Sequence, residues 1–160
     1  MDVKIEVADL LKKIVDQGDV TLATSFRDQV SARTVSVIEY DGKIAFQTDE
    51  HSRKFKKLTR NTNVAICAHD IQLEGIANVT GTPMGNETFK DLYKKRHPER
   101  YKHYSEISSE RVVEIEPKML KLWCYENEKP HILFIDLENN IVNKIPFFYQ
   151  DIVDSNLIEE

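Results

Sequence analysis

The chain has 160 residues, with 22 lysines and arginines against 27 aspartates and glutamates, a net charge of −5, and 41% hydrophobic and 31% charged residues. That length suits one domain, read as residues 1–150 with an acidic tail at 151–160, of ordinary soluble composition. The charge balance argues against a sequence-independent nucleic-acid binder, no apolar run approaches the roughly 20 residues of a membrane span, and no apolar leader precedes a cleavage site, so the expected setting is the cytoplasm.

Val7, Leu10, Leu11 and Ile14 follow helical spacing, which predicts an amphipathic helix from Val3 to Gln17 closed by Gly18. Val20 to Phe26 reads as a strand, Arg27-Asp28-Gln29 as a polar connection, and Ser31 to Tyr40 as a second strand with Arg33, Val35 and Val37 on one face and Thr34, Ser36 and Ile38 on the other. Asp41-Gly42 signals a two-residue type I′ hairpin into a third strand, Lys43 to Thr48. Ser52 suits the N-cap of a short helix to about Arg60, with Phe55 and Leu58 facing inward. Val64–Ala68 and Gln72–Thr82 are further strands, and Cys67 and Cys124 lie in apolar strand-like runs as reduced core thiols. Glu87 to about Arg96 is a helix with Phe89 and Leu92 as its apolar stripe, and Pro98 separates it from a second helical piece, Glu99 to Tyr104. Two strands flank Pro117, Arg111–Glu116 and Met119–Tyr125, and a last hairpin joins His131–Asp136 to Ile141–Ile145. About eight short strands with helices set apart indicate an antiparallel, mainly β (α+β) or closed-β architecture. No strand–helix–strand alternation long enough for a doubly wound sheet and no G-x-G-x-x-G fingerprint are present, which argues against a doubly wound nucleotide fold.

Two segments carry the clearest chemistry. Arg33 interrupts a strand of Val, Ser and Thr, and Ser52-Arg53-Lys54 opens a helix just after Thr48 ends another strand. Guanidinium, ammonium, hydroxyl and free helix N–H groups together suit a phosphate. The hairpin pairs Tyr40 with Lys43, which would leave Arg33 beyond the end of the third strand, near the loop leading to Ser52. From charge pattern alone the alternative stands beside this: Arg33 solvated on its strand, and Arg53-Lys54 part of a solvated basic helix face with Lys56, Lys57 and Arg60.

Arg33-Thr34-Val35-Ser36-Val37, the Asp41-Gly42 hairpin, Phe46-Gln47-Thr48 and Ser52-Arg53-Lys54, followed by Ile115-Glu116-Pro117 and Leu122-Trp123, resemble the pyridoxamine phosphate oxidase-like family in composition and order, over roughly Val20 to Tyr125. The resemblance implies an antiparallel FMN-binding split β-barrel with peripheral helices, working as a homodimer with FMN at the subunit interface. It implies that Arg33 and Lys54, with Arg53 beside them, hold the FMN phosphate. Thr34, Val35 and Ser36 would meet the flavin edge, Gln47 and Thr48 the phosphate or ribityl chain, and Ser52 would cap the helix. Trp123 would approach FMN across the dimer, unless it is an ordinary core aromatic. The implied function is an FMN-dependent oxidoreductase acting on a small molecule, with NAD(P)H or a reduced organic compound as donor.

The substrate side departs from that pattern. Ile38 stands where the vitamin-processing oxidases carry a lysine, Ile76 falls near where a flavin-contacting glutamine is expected, and the segment after the Trp retains only Lys129 and His131. Pyridoxamine phosphate oxidation itself is therefore not expected. Tyr93, Arg96 and His97, on the helical insert, are substrate candidates with Lys129 and His131. No catalytic residue and no metal site is assigned. Two alternatives remain at this level: a flavin- or haem-binding protein without turnover, and a small nucleic-acid module using the basic, aromatic-interleaved segment from Lys90 to Lys102.

Overall fold

The computed structural model describes residues 1–147; the acidic tail and the last residues of the expected 1–150 domain lie outside the described residues. In chain order the elements are α1 (Val3–Asp16), β1 (Asp19–Phe26), β2 (Gln29–Ser36), β3 (Ile38–Tyr40), β4 (Lys43–Asp49), α2 (Arg53–Arg60), β5 (Asn63–Ala68), β6 (Ile71–Gly81), a 3-10 turn (Pro83–Gly85), α3 (Glu87–Arg96), α4 (Pro98–Tyr104), β7 (Glu110–Glu126), β8 (Lys129–Asp136) and β9 (Ile141–Pro146). The result is a mixed α/β fold dominated by an antiparallel sheet with helices at its periphery. Among the described residues no helix is long and apolar enough to cross a membrane.

The sheet follows the path β2-β1-β5-β6-β7-β4-β3, with β8 and β9 added on β7. β7 serves two neighbours on one edge, pairing Glu110–Ile115 with β4 and Met119–Glu126 with β8, while β6 runs along its other edge. The expected second strand is divided. β2 pairs with β1, opposite Leu22 at Arg33, and only β3 pairs with β4. The two outermost strands of the path are thus joined in sequence by the single residue Val37.

Local chemistry explains most of the elements. Asp2 caps α1 by accepting from the Ile5 N–H, and Ser52 caps α2 by accepting from the Phe55 N–H. Asp41-Gly42 turns with φ of +52° and +70°, as a type I′ hairpin requires. The Arg27-Asp28 connection makes a tight turn of the same sense without glycine, at φ +50° and +63°. The expected break at Pro117 is instead a bulge within one strand: Glu74 pairs with Met119 and Gly75 with Pro117, leaving Lys118 unpaired on this edge.

The main core gathers Leu10, Leu11 and Ile14 of α1 against Leu22, Phe46, Ile66, Leu73 and Leu120 of the sheet and Leu58 of α2. A smaller cluster of Ile38, Ala45, Phe89, Tyr93 and Val112 seats α3 on the opposite face of β4. β4 is therefore buried on both faces, which is why Ile44-Ala45-Phe46 is continuously apolar. Two side-chain expectations change. The inward stripe of α3 is Phe89 and Tyr93, with Leu92 37% exposed, and Cys67 is an exposed free thiol rather than a core one.

Candidate functional site

The cleft beside the Val37 crossover has a volume of about 480 Å³. Thr34, Val35 and Ser36 come from the end of β2; Gln47, Thr48 and Asp49 from β4; Ser52 and Lys54 from the start of α2. Tyr93, Arg100, Tyr104 and Ile107 form the wall supplied by α3, α4 and the following loop, and Glu110 opens β7 at its floor. Two other concavities, of about 380 and 420 Å³, lie over β1, β5 and β6 and between α1 and α3. Neither gathers such a set of cations.

One end of the cleft is cationic. The Lys54 ammonium donates to Thr48 Oγ1 (3.1 Å), which lies 3.1 Å from Ser52 Oγ. The Arg33 guanidinium donates to Thr24 Oγ1 (2.8 Å), to the Leu22 carbonyl (3.3 Å) and to Ser31 Oγ (2.8 Å). Lys57 donates to the same Ser31 hydroxyl (2.9 Å) and to the Gln29 carbonyl (3.3 Å). Arg33 thus reaches the neighbourhood of α2 from the β1–β2 hairpin, through the crossover at Val37, rather than as an overhang of the β3–β4 ladder.

These cations perturb one another. Burial, and then Arg33, lower the Lys54 ammonium below the ordinary lysine range. Burial, and then Arg53 and Arg33, lower Lys57 in the same sense. Burial, and then Arg53, lower Arg33. Among the described residues none of Arg33, Arg53, Lys54 and Lys57 has a carboxylate ion pair. Four positive charges held together without a carboxylate ion pair, with Glu110 and Asp49 the acidic groups acting on Lys54, form a site that favours an anion.

The opposite wall is anchored. Arg100 pairs through both terminal nitrogens with Asp19, at 2.8 and 3.0 Å, and also donates to Ser36 Oγ. Ser105 Oγ donates to Gln47 Oε1 at 2.6 Å, fixing the amide. Burial pushes the Tyr93 hydroxyl up to about 12, so it remains a neutral donor. His97 Nε2 donates to the Val37 carbonyl (2.8 Å) and so ties the α3–α4 junction to the crossover.

Seven of the ten residues expected to bind a cofactor line this cleft: Thr34, Val35, Ser36, Gln47, Thr48, Ser52 and Lys54. Arg33 and Arg53 border its cationic end. Trp123 lies elsewhere, 42% exposed near the far end of β7 and packed edge-on against Phe147. Lys129 and His131 belong to that same distant hairpin. Of the substrate candidates only Tyr93 lines the cleft; Arg96 pairs with Asp16 on another surface (3.3 Å) and His97 serves the crossover. Within Lys90–Lys102, Tyr93 is buried and Lys90, Arg96 and Arg100 pair with Glu87, Asp16 and Asp19.

Sequence reasoning missed Lys57 and, among the residues lining the cleft, Asp49, Arg100, Tyr104, Ile107 and Glu110. Lys57 stands three residues after Lys54, hence on the same helix face, but the run of basic residues hides it. Glu110 is recognisable only from its pairing with Asp49.

The family described as pyridoxamine 5'-phosphate oxidase matches residues 5–124, which include every element that lines the cleft. The chain belongs to this family. No curated protein matches the sequence. The pyridoxamine 5'-phosphate oxidase-related, FMN binding protein of Nostoc punctiforme shares the fold at a TM-score of 0.62 and 11% identity, over 92% of this chain and 98% of that one. A NimC/NimA family protein of Clostridium acetobutylicum gives 0.58 and 19% identity, over 89% and 94%. A heme binding protein of Mycobacterium smegmatis gives 0.62 and 15% identity, over 82% of this chain and 58% of that one. At these identities the likeness is one of fold, so the ligand of this member of the pyridoxamine 5'-phosphate oxidase family has to be argued from its own residues.

Proposed function

We propose that the protein is a homodimeric FMN-binding split barrel that acts as an FMN-dependent oxidoreductase on a small molecule, and that it is not a pyridoxamine phosphate oxidase in the strict sense. The observation that carries this reading is the cluster of Arg33, Arg53, Lys54 and Lys57 at the cleft, without a carboxylate ion pair among the described residues. A phosphomonoester brings a charge of about −1.5 to −2 near pH 7, with three acceptor oxygens. Lys54, with Thr48 and Ser52 beside it, would hold that group directly. Arg33 and Lys57 add positive potential from behind, and Arg53 from the rim.

When bound, FMN supplies the hydride exchange; the protein supplies binding, orientation and exclusion of water. Thr34, Val35 and Ser36 at the end of β2, with the amide of Gln47, would orient the rest of the cofactor. Arg100 keeps Ser36 in place through its ion pair with Asp19. Tyr104 and Ile107, 51% and 44% exposed, are positioned to cover the bound molecule or to meet a substrate. Trp123, Lys129 and His131 would come to the cleft from a second copy of the chain.

The visible absorption spectrum of the purified protein tests the cofactor, and anaerobic addition of NAD(P)H tests turnover. A flavin spectrum that bleaches on reduction is expected. A colourless protein that leaves free FMN fluorescence unchanged on titration would overturn the reading, and a flavin that no nicotinamide or organic donor bleaches would reduce it to cofactor binding alone.

A further inference from the structure

We propose that Glu110 is a proton-linked partner of the anion cleft: seating a dianionic phosphate against Lys54 is accompanied by transfer of a proton from solution to the Glu110 carboxylate. The inference rests on the phosphate-binding reading of the cleft and adds a regulation of that site.

Glu110 is buried, lines the cleft, and makes no side-chain hydrogen bond or ion pair among the described residues. Its register partner across the ladder is Asp49. Asp49 is well supplied with donors, Ser109 Oγ at 2.6 Å and the His51 N–H at 2.7 Å, and these hold its carboxyl below the usual range. Two facing carboxyl groups do not both ionise freely. The one with donors keeps its charge, and the one without them takes the proton. Burial, and then Asp49, push Glu110 up to about 7, while Lys54 opposes the rise.

The charged groups around Glu110 are few. Asp49 faces it from β4, Lys54 from α2 and the neutral Tyr93 from α3. Arg100 of α4 is held by Asp19, and Arg111, next along β7, is held by Glu50 at 2.8 Å. Lys54 is therefore the cation that sustains an ionised Glu110. A phosphate that engages Lys54 cancels this support and brings its own negative charge close by. The carboxylate then gains a proton, and the resulting O–H becomes a donor instead of a repelling neighbour.

The experiment is an FMN titration by calorimetry between pH 6.5 and 8.5, in buffers of different ionisation enthalpy, for the wild type, Glu110→Gln and Asp49→Asn. Over this range free FMN phosphate is largely dianionic. Wild type is expected to take up most of a proton near pH 8 and to lose about tenfold in affinity from pH 6.5 to 8.5. Glu110→Gln should bind without uptake and with flat affinity, and Asp49→Asn should move the loss to lower pH. Uptake that persists in Glu110→Gln would assign the proton to Lys54 and overturn the proposal, as would weaker binding by that variant at every pH. The same series with inorganic phosphate, read by thermal shift, separates the two readings. If FMN fails to bind while phosphate stabilisation keeps a pH dependence that Glu110→Gln removes, the cofactor reading falls and the Glu110 proposal is supported. If phosphate shows no such dependence, the proposal falls as well.

Discussion

The Lys54 ammonium is the residue on which the cationic end of the cleft turns. It is half-buried, bonded to one neutral hydroxyl at 3.1 Å, and destabilised by Arg33. A charge-assisted hydrogen bond is worth about 1.5–3 kcal/mol. Lys54→Ala should therefore weaken FMN by roughly 10–150-fold with the fold retained, as read by fluorescence quenching and circular dichroism. Arg33→Ala should weaken it less, because the three bonds identified for its guanidinium tie it to its own hairpin. Equal losses would place Arg33 in direct contact instead. Glu110 makes a separate prediction about stability. Its folded pKa, raised from 4.5 to about 7, means that the folded chain binds its proton more tightly than the unfolded chain. The associated stabilisation is complete below pH 4.5 and is lost as pH rises through about 7. Its upper bound is about 3 kcal/mol, reduced because the carboxyl borders an open cleft. Glu110→Gln should flatten the fall in Tm between pH 5 and 7.5, and an unchanged slope would show that the carboxyl titrates normally.

At the scale of the element, the informative places are those where a strand changes partner. Val37 ends the β1 partnership and begins that of β4, so one continuous run of β-forming residues serves two parts of the sheet. Pro117 does the converse. It falls where β4 has ended and β8 has not begun, beside an existing interruption of the β6 ladder, so the missing N–H does not stop the strand. Gly75 makes this bulge possible. A Cβ there would lie 2.4 Å from the Glu116 carbonyl oxygen and 2.9 Å from Ile115 Cγ2. Gly75→Ala should destabilise by about 1–3 kcal/mol, or roughly 3–10 °C in Tm, since backbone has to move. A neutral substitution would mean that the bulge relaxes freely. The helix starts needed no such context. Ser52 and Asn86 each accept from an N–H three residues on, a local relation that residue type already announces.

At the scale of the whole molecule, β7 separates two groups of residues that the family resemblance joins. Glu110 and Trp123 stand at opposite ends of a strand with a contour of roughly 40 Å between them. The proposed dimer resolves this if the Trp123 end of one chain closes the cleft of another. Trp123→Ala should then lower both the dimer fraction, measured by light scattering, and FMN affinity at fixed protein concentration. A fully flavinated dimer in that variant would leave Trp123 with no role beyond packing on Phe147.

Residue pattern alone determined the amphipathic α1, the Asp41-Gly42 hairpin, the Ser52 cap of α2 and the pairing of cations with hydroxyls around Ser52, because each depends on neighbours within a few positions. Order and spacing along the chain were enough to mark the family. Only the tertiary structure decided that Arg33 belongs to the β1 hairpin, that Lys57 is buried beside it, that Glu110 faces Asp49 at the cleft floor, and that Arg96 and His97 serve other surfaces. Those outcomes depend on strand partners that are distant in sequence, and the period of a single strand carries no record of which neighbour it will find.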